Sequence, residues 1–184
     1  MNFNNYTQKS IEAVQSAQQL AVQNSHQQME QVHLLLALLR PQLLKKMDVT
    51  VESLEAAAEA ELRKIPGVRT SQAMDSFYVS ADVQAAFNAA EQQAQTMKDE
   101  YVSVEHLFLG LLETARGGVK ELFKTYQITK ERVLKALQEV RGNQRVTTDN
   151  PEGTYDALEK YGIKLPSPED DEREDDNEAA LYGS

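Results

Sequence analysis

The chain has 184 residues, which is enough for one well-packed domain and a tail, and 41% of them are hydrophobic. Its formal net charge is −10, but residues 166–184 carry −7 of it, so the rest of the chain carries only −3. Such a near-neutral body has no broad positive field for phosphates, which argues against nucleic-acid binding. The absence of cysteine excludes disulfides and thiolate metal sites.

Three features set the expected compartment. The longest apolar run, 34–39, is about a third of the ~20 residues that a membrane-spanning helix needs. Residues 1–8 are polar and lack the basic and apolar stretches of a secretory signal. Together with the missing cysteines, these features predict a cytoplasmic domain that binds no membrane.

The first half of the chain predicts four helices. Over residues 8–23 small or apolar side chains recur every three or four positions, which is typical of a helix with a narrow apolar stripe. Thr7 is its expected N-cap, because a hydroxyl there can accept from an unpaired backbone N–H. Residues 30–39 are apolar on nearly every side, so this helix should lie centrally. A short third helix is expected at 42–47 and a fourth helix at 50–63.

The second half repeats this pattern. A shift of 73 residues aligns 32–39 with 105–112, and each stretch carries a histidine at its second position. After a six-residue insertion near Gly117-Gly118, the match continues at a shift of 79. The repeat predicts a second N-cap at Ser80 and four further helices, at 81–97, 103–113, 118–125 and 129–140.

The predicted fold is all-α, a duplicated four-helix module with pseudo-twofold symmetry. No stretch shows sustained alternation of polar and apolar residues, so no sheet is expected. Pro66-Gly67 marks the connection between the two copies. The expected organisation is module one (1–63), a connector (64–79) and module two (80–140), which make up one domain (1–140), then a linker with a short helix (141–165) and an acidic disordered tail (166–184).

The sequence contains no recognisable catalytic or metal-binding constellation. Residues 117–118 lack the spacing of a phosphate-binding loop and are typical of a turn between helices. His33 and His106 lie a whole module apart, which favours a hydrogen-bonding role near each helix start over metal ligation. His26 lies among polar residues and is expected to be solvated, and no nucleophile elbow surrounds Ser25. We therefore predict no catalytic residue, no metal and no cofactor.

Two segments carry a family resemblance. Residues 102–112 read Val-Ser-Val-Glu-His-Leu-Phe-Leu-Gly-Leu-Leu, and a weaker copy at 29–39 has Val32 in place of the glutamate. This duplicated signature resembles the Clp amino-terminal repeat domain, which is found at the front of Clp-family AAA+ unfoldases.

Within that family the sequence is most similar to the ClpB-type disaggregases. The segments 98–103 and 141–162 carry this likeness, which extends over residues 1–165. The chain departs from the family in two places. The loop after Leu39 is shorter than usual, and residues 166–184 do not resemble the start of an ATPase module.

The resemblance implies a function in handling substrate proteins. Such a domain captures unfolded or aggregated polypeptides in an apolar groove between its modules and passes them to an ATP-driven AAA+ ring, in cooperation with a DnaK-type chaperone system. ATP would bind only in that ring, so the chain itself would not be an enzyme. The alternative is an adaptor-docking domain of a Clp unfoldase–protease subunit.

The family likeness also implies a set of substrate-binding residues: Thr7, Phe87, Asp99, Glu105 and His106. Phe87 would be an apolar contact, whereas Asp99 and Glu105 would be polar groups at the rim. Each of three assignments has a structural alternative, with Thr7 as a helix cap, Phe87 as a core residue and Glu105 as a favourable charge at a helix N-terminus.

Overall fold

The computed structural model describes residues 3–68 and 78–142, together with Thr147. The all-α class and the expected order of helices are confirmed. The short helix expected within 141–165 and the acidic tail lie outside the described residues. The helices are α1 (Gln8–Gln23), α2 (Gln31–Leu38), α3 (Pro41–Lys46), α4 (Val51–Arg63), α5 (Ala81–Thr96), α6 (Val104–Thr114), α7 (Gly117–Thr125) and α8 (Lys130–Arg141).

The first helix of each module begins with a side-chain cap, as the sequence predicts. The hydroxyl of Thr7 accepts from the backbone N–H of Ser10 at 3.2 Å, and that of Ser80 accepts from the N–H of Val83 at 3.1 Å. Each bond satisfies one of the N–H groups that the first turn leaves without a helical partner. The two modules therefore start in the same way.

Two very short strands, β1 (Gln28–Met29) and β2 (Tyr78–Val79), form a parallel pair that the sequence does not predict, because two residues are too few to show alternation. In this pair Met29 lies opposite Val79. A second parallel bridge joins Tyr6 to Val102. By the shift of 73 residues, Tyr6 is equivalent to Val79 and Val102 is equivalent to Met29. Each module thus pairs the segment before its first helix with the segment before the other module's second helix, which is the pseudo-twofold relationship that the repeat predicts.

The second helices lie at the centre, as expected from their apolar surface. Every residue of 104–111 in α6 is buried, and α2 packs against α1, α4 and α6. The densest packing between helices is that of α6 on α5. Within the described residues no helix is both long and apolar enough to cross a bilayer.

Two sequence predictions about polar segments have opposite outcomes. Gly117 begins α7 with φ of 57°, which confirms a turn between α6 and α7. The expectation that His26 is solvated is wrong, since it is only 4% exposed. The residues around His26 are polar, but the end of α4 folds back over it and brings the carbonyl of Ile65 within 3.2 Å of its ring.

Candidate functional site

An open groove of about 530 Å³ lies on module one, where α1 faces the junction between α2 and α3. The junction is sharp because Pro41 opens α3 at its first helical position and holds Arg40 before it in an extended conformation. Val104, the first residue of α6, closes one end and belongs to module two. The groove, called here the module-one groove, is lined by Lys9, Glu12, Ala13, Ser16, Ala37, Arg40, Pro41, Gln42 and Val104.

The wall of this groove contains an ion pair between the two modules. The guanidinium of Arg40 donates to the carboxylate of Glu105 and also, at 3.2 Å, to the amide oxygen of Gln42. Burial alone would raise the pKa of Glu105, but the Arg40 charge, with a hydrogen bond from the side chain of Ser103, holds it below its ordinary value. Glu105 therefore stays ionised and fixes Arg40 along the groove.

The equivalent place on module two is spanned by the side chain of Gln31, which belongs to module one. The repeat places Gln31 where the module-one groove has Val104. The amide nitrogen of Gln31 donates to the carbonyl oxygens of Asp82 at 3.2 Å and Thr114 at 3.0 Å, and its oxygen accepts from the N–H of Arg116 at 3.0 Å. Gln31 thus bridges α5 and the end of α6 across the place that stays open in module one.

A glycine in α6 allows α5 and α6 to approach closely on module two. Gly110 of α6 is equivalent to Ala37 of α2, and a Cβ at Gly110 would lie 2.4 Å from the carbonyl oxygen of Ala86 and 2.7 Å from the nitrogen of Ala90. The backbones of α5 and α6 are therefore in direct contact. In module one the methyl group of Ala37 lines the open groove instead. The two modules share a fold but differ at this surface.

Three of the predicted site residues come together at the start of α6, beside this groove. His106 accepts the backbone N–H of Ser103 at Nδ1 (2.8 Å), so its Nε2 carries the proton and donates to Asp99 at 2.7 Å. The guanidinium of Arg141 also donates to both oxygens of Asp99, at 2.6 and 3.1 Å. Glu105 is the residue next to His106 and pairs with Arg40. The cluster ties the end of α8 to the first turn of α6.

The other two predicted residues lie elsewhere in the interior. Thr7 caps α1 and donates its backbone N–H to the carbonyl of Val102 at 3.0 Å. Phe87 is 1% exposed and packs edge-on against Phe3 with ring centroids 6.0 Å apart. The structural alternatives for Thr7 and Phe87 are confirmed. All five predicted residues are buried in the described structure, so none of them presents its side chain to a ligand there. Their role in contacting substrate stays a prediction.

Sequence reasoning missed the residues that form the groove and its support. Arg40 and Arg141 are two among 19 basic residues, and their partners lie 65 and 42 positions away along the chain. One signal was available for the groove itself. Aligning Gln31 with Val104 and Ala37 with Gly110 shows where the two copies differ in polarity and size. Val104 and Ala37 line the open module-one groove, whereas Gln31 and Gly110 lie at the equivalent place on module two.

Comparisons with known proteins agree with the fold. The chain is 44% identical over 172 residues to the chaperone protein ClpB of Bacillus cereus and 40% identical over 173 residues to that of Nitratidesulfovibrio vulgaris. Each match covers 90% of this chain and 20% of the relative, so the chain spans about a fifth of the length of these ClpB proteins.

Solved structures give the same result. The N-terminal domain of Hsp104 from Candida albicans superposes with a TM-score of 0.70 at 26% identity, covering 80% of this chain and 98% of that one. The N-domain of ClpV from Vibrio cholerae shares the fold, with a TM-score of 0.58 at 19% identity over 74% of this chain and 84% of that one. The model of the Clp repeat (R) N-terminal domain matches residues 5–126. The chain therefore belongs to the Clp repeat N-terminal domain family.

Proposed function

We propose that this chain is the substrate-handling N-terminal domain of a ClpB-type disaggregase, and that its module-one groove holds extended apolar segments of unfolded or aggregated proteins. The likeness to ClpB chaperones over 90% of the chain supports the parent assignment. In the parent protein the captured segment passes to the AAA+ ring, which works with a DnaK-type chaperone system. ATP hydrolysis belongs to the ring and not to this chain.

The observation that carries the proposal is the open groove on module one beside a counterpart on module two that Gln31 spans. The groove volume of about 530 Å³ lies within the range of roughly 300–1,000 Å³ that is usual for binding pockets. Its apolar lining comes from small side chains (Ala13, Ala37, Pro41 and Val104), which leave room for a foreign side chain. Charged groups at its edge keep it wetted when it is empty.

Such a groove favours weak binding with little sequence preference. Its apolar lining recognises hydrophobic side chains that folded proteins hide. Arg40, which Glu105 holds in place, offers donors to any backbone carbonyl and so does not select one sequence. An unfolded segment also loses conformational entropy when it is held. Weak capture suits a domain whose ligand must be released to another site.

The test is an amide-shift titration of the full chain with a permanently unfolded model protein. We expect shifts in 9–16 and 37–42 and none along the surface of α5. The variant Ser16→Trp fills the groove from an exposed position and should abolish these shifts. Gln15→Trp is the matched control, because it adds the same ring on α1 to an exposed position that does not line the groove.

Two results would contradict the proposal. Shifts that persist unchanged in Ser16→Trp would show that clients bind elsewhere. If unfolded protein caused no shifts while a folded partner did, the chain would instead be the adaptor-docking domain of a Clp unfoldase–protease subunit.

A further inference from the structure

Module one contains a buried pair of histidines that takes no part in the groove. His33 lies in the first turn of α2, and His26 lies in the loop between α1 and β1. Nδ1 of His26 lies 2.8 Å from Nε2 of His33, and the two side chains belong to residues that are 4% and 0% exposed. Neither ring can be hydrated in this arrangement, so the contacts between the nitrogens decide their protonation.

The hydrogen bonds assign each proton. The backbone N–H of Glu30 donates to Nδ1 of His33 at 2.8 Å, so this nitrogen carries no proton. The proton of His33 is therefore on Nε2 and is donated to Nδ1 of His26. That leaves the proton of His26 on Nε2, which lies 3.2 Å from the carbonyl oxygen of Ile65. All four ring nitrogens are satisfied only when both rings are neutral.

Adding a proton to either ring disrupts this chain of bonds. A proton on Nδ1 of His33 would point at the backbone N–H of Glu30, and a proton on Nδ1 of His26 would point at the ring Nε2–H of His33. The carboxylate of Glu30 accepts from the side-chain amide of Gln28 at 2.7 Å, and the ammonium of Lys64 pairs with Glu61 at 2.8 Å. The carboxylate of Glu30 also faces the backbone N–H of His33 in a capping box, but within the described residues no ring nitrogen of the pair bonds to a carboxylate. In agreement, burial and the neighbouring His26 lower the pKa of His33 to about 4.

Module two has different chemistry at the same two positions. The shift of 73 places His26 on Asp99 and His33 on His106, and His106 donates to Asp99 at 2.7 Å. There the partner of the imidazole is a carboxylate, which also binds Arg141 at the end of α8. The residue at position 26 or 99 therefore holds the end of the fourth helix of its module. In module one the neutral ring of His26 bonds to Ile65 after α4, and in module two Asp99 forms an ion pair with Arg141 at the end of α8.

We propose that His26 and His33 form a proton-sensitive clasp, which holds the end of α4 and the start of the connector against module one and opens on acidification while module two stays closed. Opening would free Ile65 and loosen Val68, whose N–H bonds to the carbonyl of Ser25 at 2.8 Å, next to His26. Residues 65–68 would then gain freedom without loss of the module-two fold.

The test is amide hydrogen exchange of the full chain between pH 7 and pH 5, corrected for intrinsic exchange rates. A free imidazole takes up its proton near pH 6.5, so the open state gains a proton on His33 mainly below that pH. The opening equilibrium at Glu30 and Val68 should therefore rise about threefold from pH 7 to pH 6 and about sevenfold from pH 6 to pH 5. The N–H of Ser103, which bonds to His106 at 2.8 Å, is the internal control. It should show no such slope, because the hydroxyl oxygen of Ser103 lies 3.0 Å from Nδ1 of His106 and the carboxylate of Asp99 lies 2.7 Å from Nε2, so both protons of a charged ring have an acceptor there.

A variant separates the clasp from general acid loosening. His26→Asp gives module one the carboxylate–imidazole pair of module two, so the pH slope at Glu30 should disappear. If the variant does not fold, the wild-type comparison of Glu30 with Ser103 still decides. Equal slopes at Glu30 and Ser103, or a flat profile at both, would overturn the proposal.

Discussion

Arg40 of module one donates to Glu105 of module two across the boundary between the modules, and Glu105 is 2% exposed. The pair does two things at once. It neutralises a carboxylate that the fold has removed from water, and it fixes the guanidinium along the wall of the module-one groove.

Removing Arg40 should therefore cost much more than a surface ion pair. In Arg40→Ala the carboxylate of Glu105 loses its stronger counter-charge in the interior and keeps only the weaker effect of Arg141. We expect a loss of about 3–5 kcal/mol in the free energy of unfolding, measured in urea. The double variant Arg40→Ala/Glu105→Val installs the residue found at the equivalent position Val32 and should recover most of this loss. A cost below about 1 kcal/mol for the single variant would show that the pair is not held as described.

The Asp99–Arg141 pair gives a second stability prediction. Both side chains are buried, and Arg141→Ala removes the guanidinium that donates to both oxygens of Asp99, so urea unfolding should show a loss of about 3–5 kcal/mol. The control is Arg116→Ala, whose ion pair with Asp82 is long (3.6 Å) and exposed, and which should cost less than about 0.5 kcal/mol. Similar costs for the two variants would contradict a special role for Arg141 at the end of α8.

Gly110 should resist substitution more than its counterpart. Gly110→Ala adds a methyl group 2.4 Å from a backbone oxygen of α5, so we expect a loss of about 1–3 kcal/mol in stability even though alanine is the better helix former. Ala37→Gly in module one removes a methyl group from an open groove and should cost about 1 kcal/mol, mainly from helix propensity. Thermal unfolding of both variants checks this, and a stabilised Gly110→Ala would disprove the close approach of α5 and α6.

Stability should also fall on mild acidification. The pKa of His33 is about 4 in the folded domain, against 6.5 for an unperturbed histidine. The folded chain therefore binds fewer protons than the unfolded chain between these two pH values. The contribution of this residue is fully present above pH 6.5 and is lost as the pH falls towards 4, by about 3 kcal/mol in all. Glu105, whose folded pKa is lowered from 4.5, adds a further loss below that pH. Unfolding curves that coincide at pH 7 and pH 5 would contradict the neutral state of His33.

The helices, their caps and their duplication could be predicted because their signals are local. Thr7 and Ser80 precede apolar periodic stretches, and the histidine signature recurs after 73 residues. The strands could not be predicted, since their pairing joins segments of two residues across the modules. The burial of His26 was missed because its neighbours in sequence are polar, whereas Ile65, which covers it, lies 39 positions away.

The candidate site was harder to predict than the fold. The family signature led to Glu105 and His106, and the structure ties Glu105 to the groove wall through Arg40. The surface that a ligand meets, however, is set by small side chains such as Ala37 and by what spans the equivalent place in the other module. No single stretch of sequence contains that comparison.

Photo-crosslinking from equivalent positions in the two modules tests the central claim most directly. Lys9 lines the module-one groove, and Asp82 is its counterpart on module two, with similar partial burial. With a crosslinker placed at one position or the other and a permanently unfolded client, position 9 should capture the client and position 82 should not. Equal capture at both positions, or capture mainly at position 82, would contradict a single open groove as the client site.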